Sequence, residues 1–157
     1  TLRSSSAASD VYKRQIMDSG SVVPVMPAKM GAAYDLKESQ GSKDGVMYRA
    51  ANNGKLPNLG EKMMPVVTQE GTLRGYCSQV ADVCDALQSV RQLHSTGHLV
   101  VFNGKDSFML NKVSGEVNRI DDNGSNYLMH MWVVPPEELT DVVAALAPDE
   151  DFTRQDP

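Results

Sequence analysis

Glycine and asparagine break this chain at short, even intervals, and the stretches between them are apolar and too short for helices. Asn52-Asn53-Gly54, Gln69-Glu70-Gly71, Asn103-Gly104, Ser114-Gly115 and Asn123-Gly124 are the clearest breaks. Asn and Gly tolerate positive φ, which tight reversals between extended segments require. The intervening stretches 46–50, 73–81, 99–102, 107–111, 116–120 and 127–134 read as strands, and 55–67 reads as two extended pieces around Gly60. Residues 22–26 form a compact apolar run, and 37–45 a polar loop. Short strands at this spacing predict a mainly all-β domain, a barrel or a sandwich.

Two stretches depart from that rhythm. Val83, Leu87, Val90 and His94 recur at helical intervals, and Gly97 falls where a helix C-cap belongs, so one helix is expected there. Pro135-Pro136 ends the last strand. Beyond it Leu139, Val142, Val143 and Leu146 mark one apolar face, with Glu137 and Glu138 in the favourable first turn. Residues 147–157 are acidic and proline-bearing and read as a tail.

At 157 residues, 41% of them hydrophobic, the chain can bury one core and is too short for two comfortable domains. No apolar run approaches the roughly 20 residues of a membrane span, and no signal peptide is expected. A net charge of −5 argues against a dedicated nucleic-acid surface. Two cysteines, Cys77 and Cys84, make no disulfide framework and fit a reducing, intracellular setting. Residues 1–15 stand apart. They are Ser/Ala-rich, then abruptly basic, and their end, DVYKRQ, resembles the in-frame translation of a transposase adapter used in sequencing libraries. The expected organisation is therefore 1–15 as a non-native segment that packs little, 16–134 as the folded domain, and 135–157 as a short helix and acidic tail. The natural N-terminus is expected to be missing.

Asp18-Ser19-Gly20 carries the chemistry. It follows Ile16-Met17 and precedes Val22-Val23-Pro24-Val25-Met26. A carboxylate between apolar flanks is costly to bury unless it is paired or used. Gly lets the backbone turn tightly beside it, and Ser can hydrogen-bond across to a partner loop. Two such loops brought together would give carboxylates that share one proton, because like charges about 3 Å apart cannot both ionise. One would activate water as general base, and the other would polarise a scissile carbonyl. The tripeptide alone is a weak signal, since any strand-to-loop turn can hold it. D-S-G occurs once, so a catalytic pair would need two chains.

The order of segments strengthens the signal. Two apolar residues, D-S-G, an apolar strand, a long loop, a Gly-containing hairpin, further strands and a helix resemble the order in retroviral aspartic proteases, the retropepsins. YRAANNGKLPNLGEK (48–62) is similar to the strand, turn and glycine of retroelement proteases, where a hairpin flap covers the substrate. QVADVCDALQSVRQL (79–93), followed by GHLVVFN (97–103), resembles a segment downstream of the flap in retrotransposon polyproteins, copia-like ones in particular. There a strand leads into a short L-x-S-V-x-x-L helix and then a strand after Gly. FMLNKVSGEV (108–117) continues the likeness.

The resemblance implies a closed, acid-protease-like β-barrel with one short helix, plus the C-terminal helix and tail. It implies an aspartic endopeptidase, with no metal and no cofactor. The substrate would be the element's own polyprotein, cut by a homodimer in the cytoplasm or within retroelement particles, with no nucleic acid or membrane bound by this domain. Asp18 would be the catalytic aspartate, Ser19 and Gly20 would complete its loop, and Asn53, Gly54 and Lys55 would lie near the flap turn. Two departures stand out. The apolar-apolar-Gly motif that retroviral proteases carry before their helix is absent, since 82–87 has no glycine. Retropepsins also use terminal strands in the dimer interface, so a missing N-terminus would weaken the dimer. The alternative is a non-catalytic folded segment of a retroelement polyprotein, with an assembly or binding role, or a decayed protease.

Other residues read more plainly. Cys77, Cys84, His94 and His98 are spaced C-x6-C-x9-H-x3-H, unlike zinc knuckles with cysteines two to four apart, and core and helix-end roles are expected instead. Met63, Met64, Met129 and Met131 are expected in the core or a dimer seam, and Trp132 as a core or interface anchor. Asp121-Asp122 and Asp149-Glu150-Asp151 lack calcium-loop spacing and read as solvated turn or tail.

Overall fold

The computed structural model describes residues 12–50 and 52–145. Leu146, the acidic tail, Val11 and the ten residues before it lie outside the described residues. In chain order the strands are β1 (Tyr12–Asp18), β2 (Val25–Met26), β3 (Met47–Arg49), β4 (Lys55–Pro57), β5 (Gly60–Thr68) and β6 (Leu73–Val80). They continue as β7 (Ala86–Ser89), β8 (His98–Val101), β9 (Phe108–Asn111), β10 (Val117–Arg119), β11 (Asp121–Asp122) and β12 (Tyr127–Val133). Among the described residues three short α-helices interrupt them, α1 (Gln40–Lys43), α2 (Val90–Ser95) and α3 (Leu139–Ala145). No helix among the described residues is long and apolar enough to cross a membrane.

The reversals expected from Asn and Gly fall between strands, and β5, β6 and β12 join β1, β2 and β7 in a closed barrel. Six strands run β1-β7-β2-β6-β5-β12, and β12 returns to β1, with β11 attached at β12. Closure leaves the ring without unpaired edges, which open sheets must otherwise protect. The longest pairing is the β5–β6 hairpin, in register from Gly60↔Val80 to Val67↔Leu73. Gly60 opens it with φ 134°, and a Cβ there would stand 2.3 Å from the Lys37 carbonyl oxygen, so only glycine fits. A three-stranded sheet, β10-β9-β8, packs beside the barrel, and β3-β4 forms a separate hairpin.

Methionine fills much of the interior. Met26 and Met64 are fully enclosed and pack with Tyr76, Val80 and Met131 in the main core. A second cluster joins Met17 and Met129 of the barrel to Met109 of the smaller sheet, to Ile120 between β10 and β11 and to Leu93 of α2. Each such side chain contributes about 1.5–3 kcal/mol on burial, and the flexible thioether fills irregular space between layers. Leu139 and Val142 of α3 cover Val67, Leu73 and Val134, as the apolar face of that helix predicts, whereas Val143 is exposed. Met63 is 47% exposed on β5 and so lies outside the core.

Three expectations are corrected. The helix expected across Val83–His94 is a strand in its first half: β7 pairs in parallel with β1, and α2 begins only at Val90. Four residues are too few for periodicity to separate strand from helix, and pairing with β1 decides it. The polar loop 37–45 contains α1, closed by a reciprocal capping box between Ser39 and Ser42. Residues 12–15, expected to pack little, belong to β1 and pair with β12 from Tyr12↔Trp132 to Gln15↔Met129. Gln15 is buried, and the Tyr12 ring lies 5.5 Å from Trp132. Strand pairing uses main-chain groups that every residue carries, so a segment without apolar pattern can still complete a sheet.

Candidate active site

Side chains alternate along β1, so Gln15 and Met17 face the buried interior while Ile16 and Asp18 face the other way. Register then carries that second face across the barrel wall. Ile16 lies opposite Leu87 of β7, Leu87 opposite Val25 of β2, Val25 opposite Gln79 of β6, and Gln79 opposite Glu61 of β5. All five line one open groove of 1490 Å³, together with Asp18. At about 4.8 Å per strand the row spans roughly 19 Å, the length of five or six extended residues. It is apolar at the Asp18 end and polar, then acidic, at the other.

Asp18 is the last residue of β1 and is half-buried. Its Oδ1 accepts a 2.8 Å hydrogen bond from the Gly20 amide, so the carboxylate closes its own turn. Ser19 and Gly20 are exposed, and Gly20 lines the groove. On the neighbouring strand Ser89 stands opposite Asp18. Its hydroxyl donates to the Ser21 carbonyl at 2.6 Å and accepts from the Gln92 amide at 3.1 Å, capping α2.

The β3–β4 hairpin supplies a second wall. Its turn is closed by Ala50 N–H to Gly54 O at 2.8 Å and Asn53 N–H to Ala50 O at 2.9 Å, with Asn53 at φ 64°. Of the flap residues expected from sequence, Gly54 lines the groove. Asn53 makes the turn and Lys55 opens β4 opposite Arg49; neither is among the lining residues, whereas Asn52 is.

Asn58 clasps the hairpin to the barrel. Its amide donates to Tyr48 Oη and Gln79 Oε1, both at 2.9 Å, and its Oδ1 accepts from the Gly60 amide at 2.8 Å and Ser39 Oγ at 3.1 Å. All four side-chain positions of the amide are thus used. Burial pushes the Tyr48 phenol up from its ordinary value, and the Asn58 bond opposes that. A Cβ on Gly41 would stand 2.5 Å from Asn58 Nδ2, so α1 approaches the clasp closely only through glycine.

Of the residues named from sequence, Asp18, Gly20 and Gly54 line the groove, whereas Tyr48, Asn58, Glu61, Gln79 and Ser89 were missed. The Asn58-Leu59-Gly60 spacing was a usable signal, because Asn commonly bonds the amide two residues on. The others depend on strand register. The remaining motif residues do not converge. Cys77 is buried and Cys84 exposed, His98 is buried in β8 and His94 exposed. Among the described residues no three His, Cys, Asp or Glu side chains are placed to hold a metal ion. Asp121, expected in a solvated turn, is instead half-buried in β11, 2.8 Å from Arg119 Nε and 2.7 Å from His130 Nε2. The other imidazole nitrogen of His130 meets the Tyr12 hydroxyl, which ties β1 to β12 away from the groove.

Comparison with protein-family models, curated proteins and solved structures found no match.

Proposed function

We propose that this domain is an aspartic endopeptidase of the retropepsin type, cutting a retroelement polyprotein as a homodimer in which each chain contributes one Asp18. The observation that carries the reading is the position of Asp18, at the end of a barrel strand and at the apolar end of a groove walled by a hairpin. That groove has the length and lining for an extended peptide with apolar residues beside the reacting bond. One D-S-G per chain makes the second carboxylate a partner's.

In the proposed reaction the ionised carboxylate takes a proton from water as the water oxygen adds to the peptide carbonyl carbon. The protonated carboxyl gives its proton to the carbonyl oxygen. As the C–N bond of the tetrahedral intermediate breaks, the carboxyl that took the water's proton gives it to the nitrogen and a hydroxyl of the intermediate returns its proton to the other carboxylate, so a carboxylic acid and an amine result and the pair is restored. A shared proton makes the pair titrate as a unit, and activity should be bell-shaped in pH.

The test is peptide cleavage over about pH 4 to 7 by wild type and Asp18→Asn. Activity should fall on the order of 10³-fold or more in the variant. Unchanged cleavage would rule the reading out. A second reading, a non-catalytic segment that binds peptide, draws on the exposure of Ser19 and Gly20, which hold no partner loop within one chain. It expects peptide binding with no cleavage at any protein concentration.

A further inference from the structure

We infer that Ser89 is a positioning residue for Asp18: its hydroxyl fixes the far end of the loop whose near end is the carboxylate. The inference rests on the proposed role of Asp18, but its structural part is separable. β7 places Ser89 directly opposite Asp18 in parallel register, so the start of the loop is held by the sheet ladder. Three residues later the Ser21 carbonyl receives the Ser89 hydroxyl proton at 2.6 Å. The carboxylate is then oriented from within this short span, by the Gly20 amide at 2.8 Å.

The hydroxyl has one proton to give, and it goes to Ser21; its lone pair takes the Gln92 amide at the first turn of α2. Ser89 is fully enclosed, so water cannot replace either bond. A plain helix cap needs only an acceptor, which many residues supply. The donated bond to Ser21 is what a cap does not require, and it couples α2 to the loop carrying Asp18. Losing it should free residues 19–21 while leaving the groove walls in place. A displacement of about 1 Å in a reacting group can cost on the order of 100-fold in rate.

The experiment compares Ser89→Cys and Ser89→Ala with Ser89→Thr and with Thr96→Val. Cys nearly preserves volume in a buried site but is a weak donor. Thr keeps the hydroxyl. Thr96→Val removes bonds at the other end of α2, to the Gln92 and Leu93 carbonyls, and so weakens the helix without touching the loop. Amide order parameters of Gly20 and Ser21 should drop from the rigid range near 0.85 to below about 0.6 in Ser89→Cys and Ser89→Ala. They should stay in the rigid range in Thr96→Val and recover in Ser89→Thr. With peptide substrate, kcat should fall about 10- to 100-fold in the Cys and Ala variants while KM changes less than about twofold. Unchanged order parameters in Ser89→Cys overturn the inference, whatever the activity. Loosened amides in a protein whose wild type cleaves nothing would uphold the tether and defeat the protease reading instead. Equal kcat losses in Thr96→Val and Ser89→Cys would reduce Ser89 to an ordinary helix cap.

Discussion

Tyr76 lies in the main core, and burial holds its phenol well above the ordinary tyrosine range, with the Ser78 hydroxyl pulling the other way. Tyr48 is raised by burial against the Asn58 bond, and Tyr34 by burial with Glu137 adding to it. A raised phenol keeps its proton in the folded chain at pH values where the unfolded chain has lost it. Stability is therefore fully present below the ordinary value of 10.0 and falls as pH rises from there towards the raised values. Urea denaturation from about pH 8 to about pH 11 should show that loss, and Tyr76→Phe should flatten it. An identical slope in Tyr76→Phe would show that the buried phenol is not its source. At this scale Asp18 was legible because a charge among apolar residues is conspicuous. The Ser89–Ser21 and Asn58–Gln79 pairings were not, because the partners stand 68 and 21 residues apart along the chain.

The β3–β4 hairpin shows how an element is placed by few contacts. Its ladder has three register pairs, and two strands alone are marginal in water. Asn58 joins it to β6 and to the cap of α1. Asn58→Ala would leave buried partners without their bonds, at a cost of about 1–3 kcal/mol. The Ala50 and Asn53 amides, which close the turn, should exchange faster with solvent, and the denaturation midpoint should fall. Unaltered exchange at both amides would mean that something else holds the hairpin. The elements themselves were largely readable. Asn and Gly mark reversals by their own backbone preference, so β3 to β6, β8 to β10 and β12 fell close to where they were expected, whereas β11 had been read as a turn. β7 and the first half of β1 were misread for one reason. Short strands without alternation take their state from the neighbour they pair with.

For the whole molecule, one D-S-G per barrel makes the proposed activity a property of two chains. Cleavage per subunit should fall on dilution with the fraction of dimer, and a symmetric interface should bring the two Asp18 loops to the axis. Sedimentation and cleavage across one dilution series check this; constant specific activity from a sedimenting monomer would defeat the shared-carboxylate mechanism. The chain's local chemistry was enough to set the all-β class, most turns, the apolar face of α3 and the identity of the conspicuous carboxylate. Each of these follows from what a residue does to its own backbone or to near neighbours. Tertiary structure alone decided that β1 pairs with both β7 and β12, that Ile16, Leu87, Val25, Gln79 and Glu61 form one row, and that Ser89 stands beside Asp18. Main-chain pairing is nearly indifferent to side chain, so register is settled only when the ring closes and the two faces of every strand must be buried or solvated together.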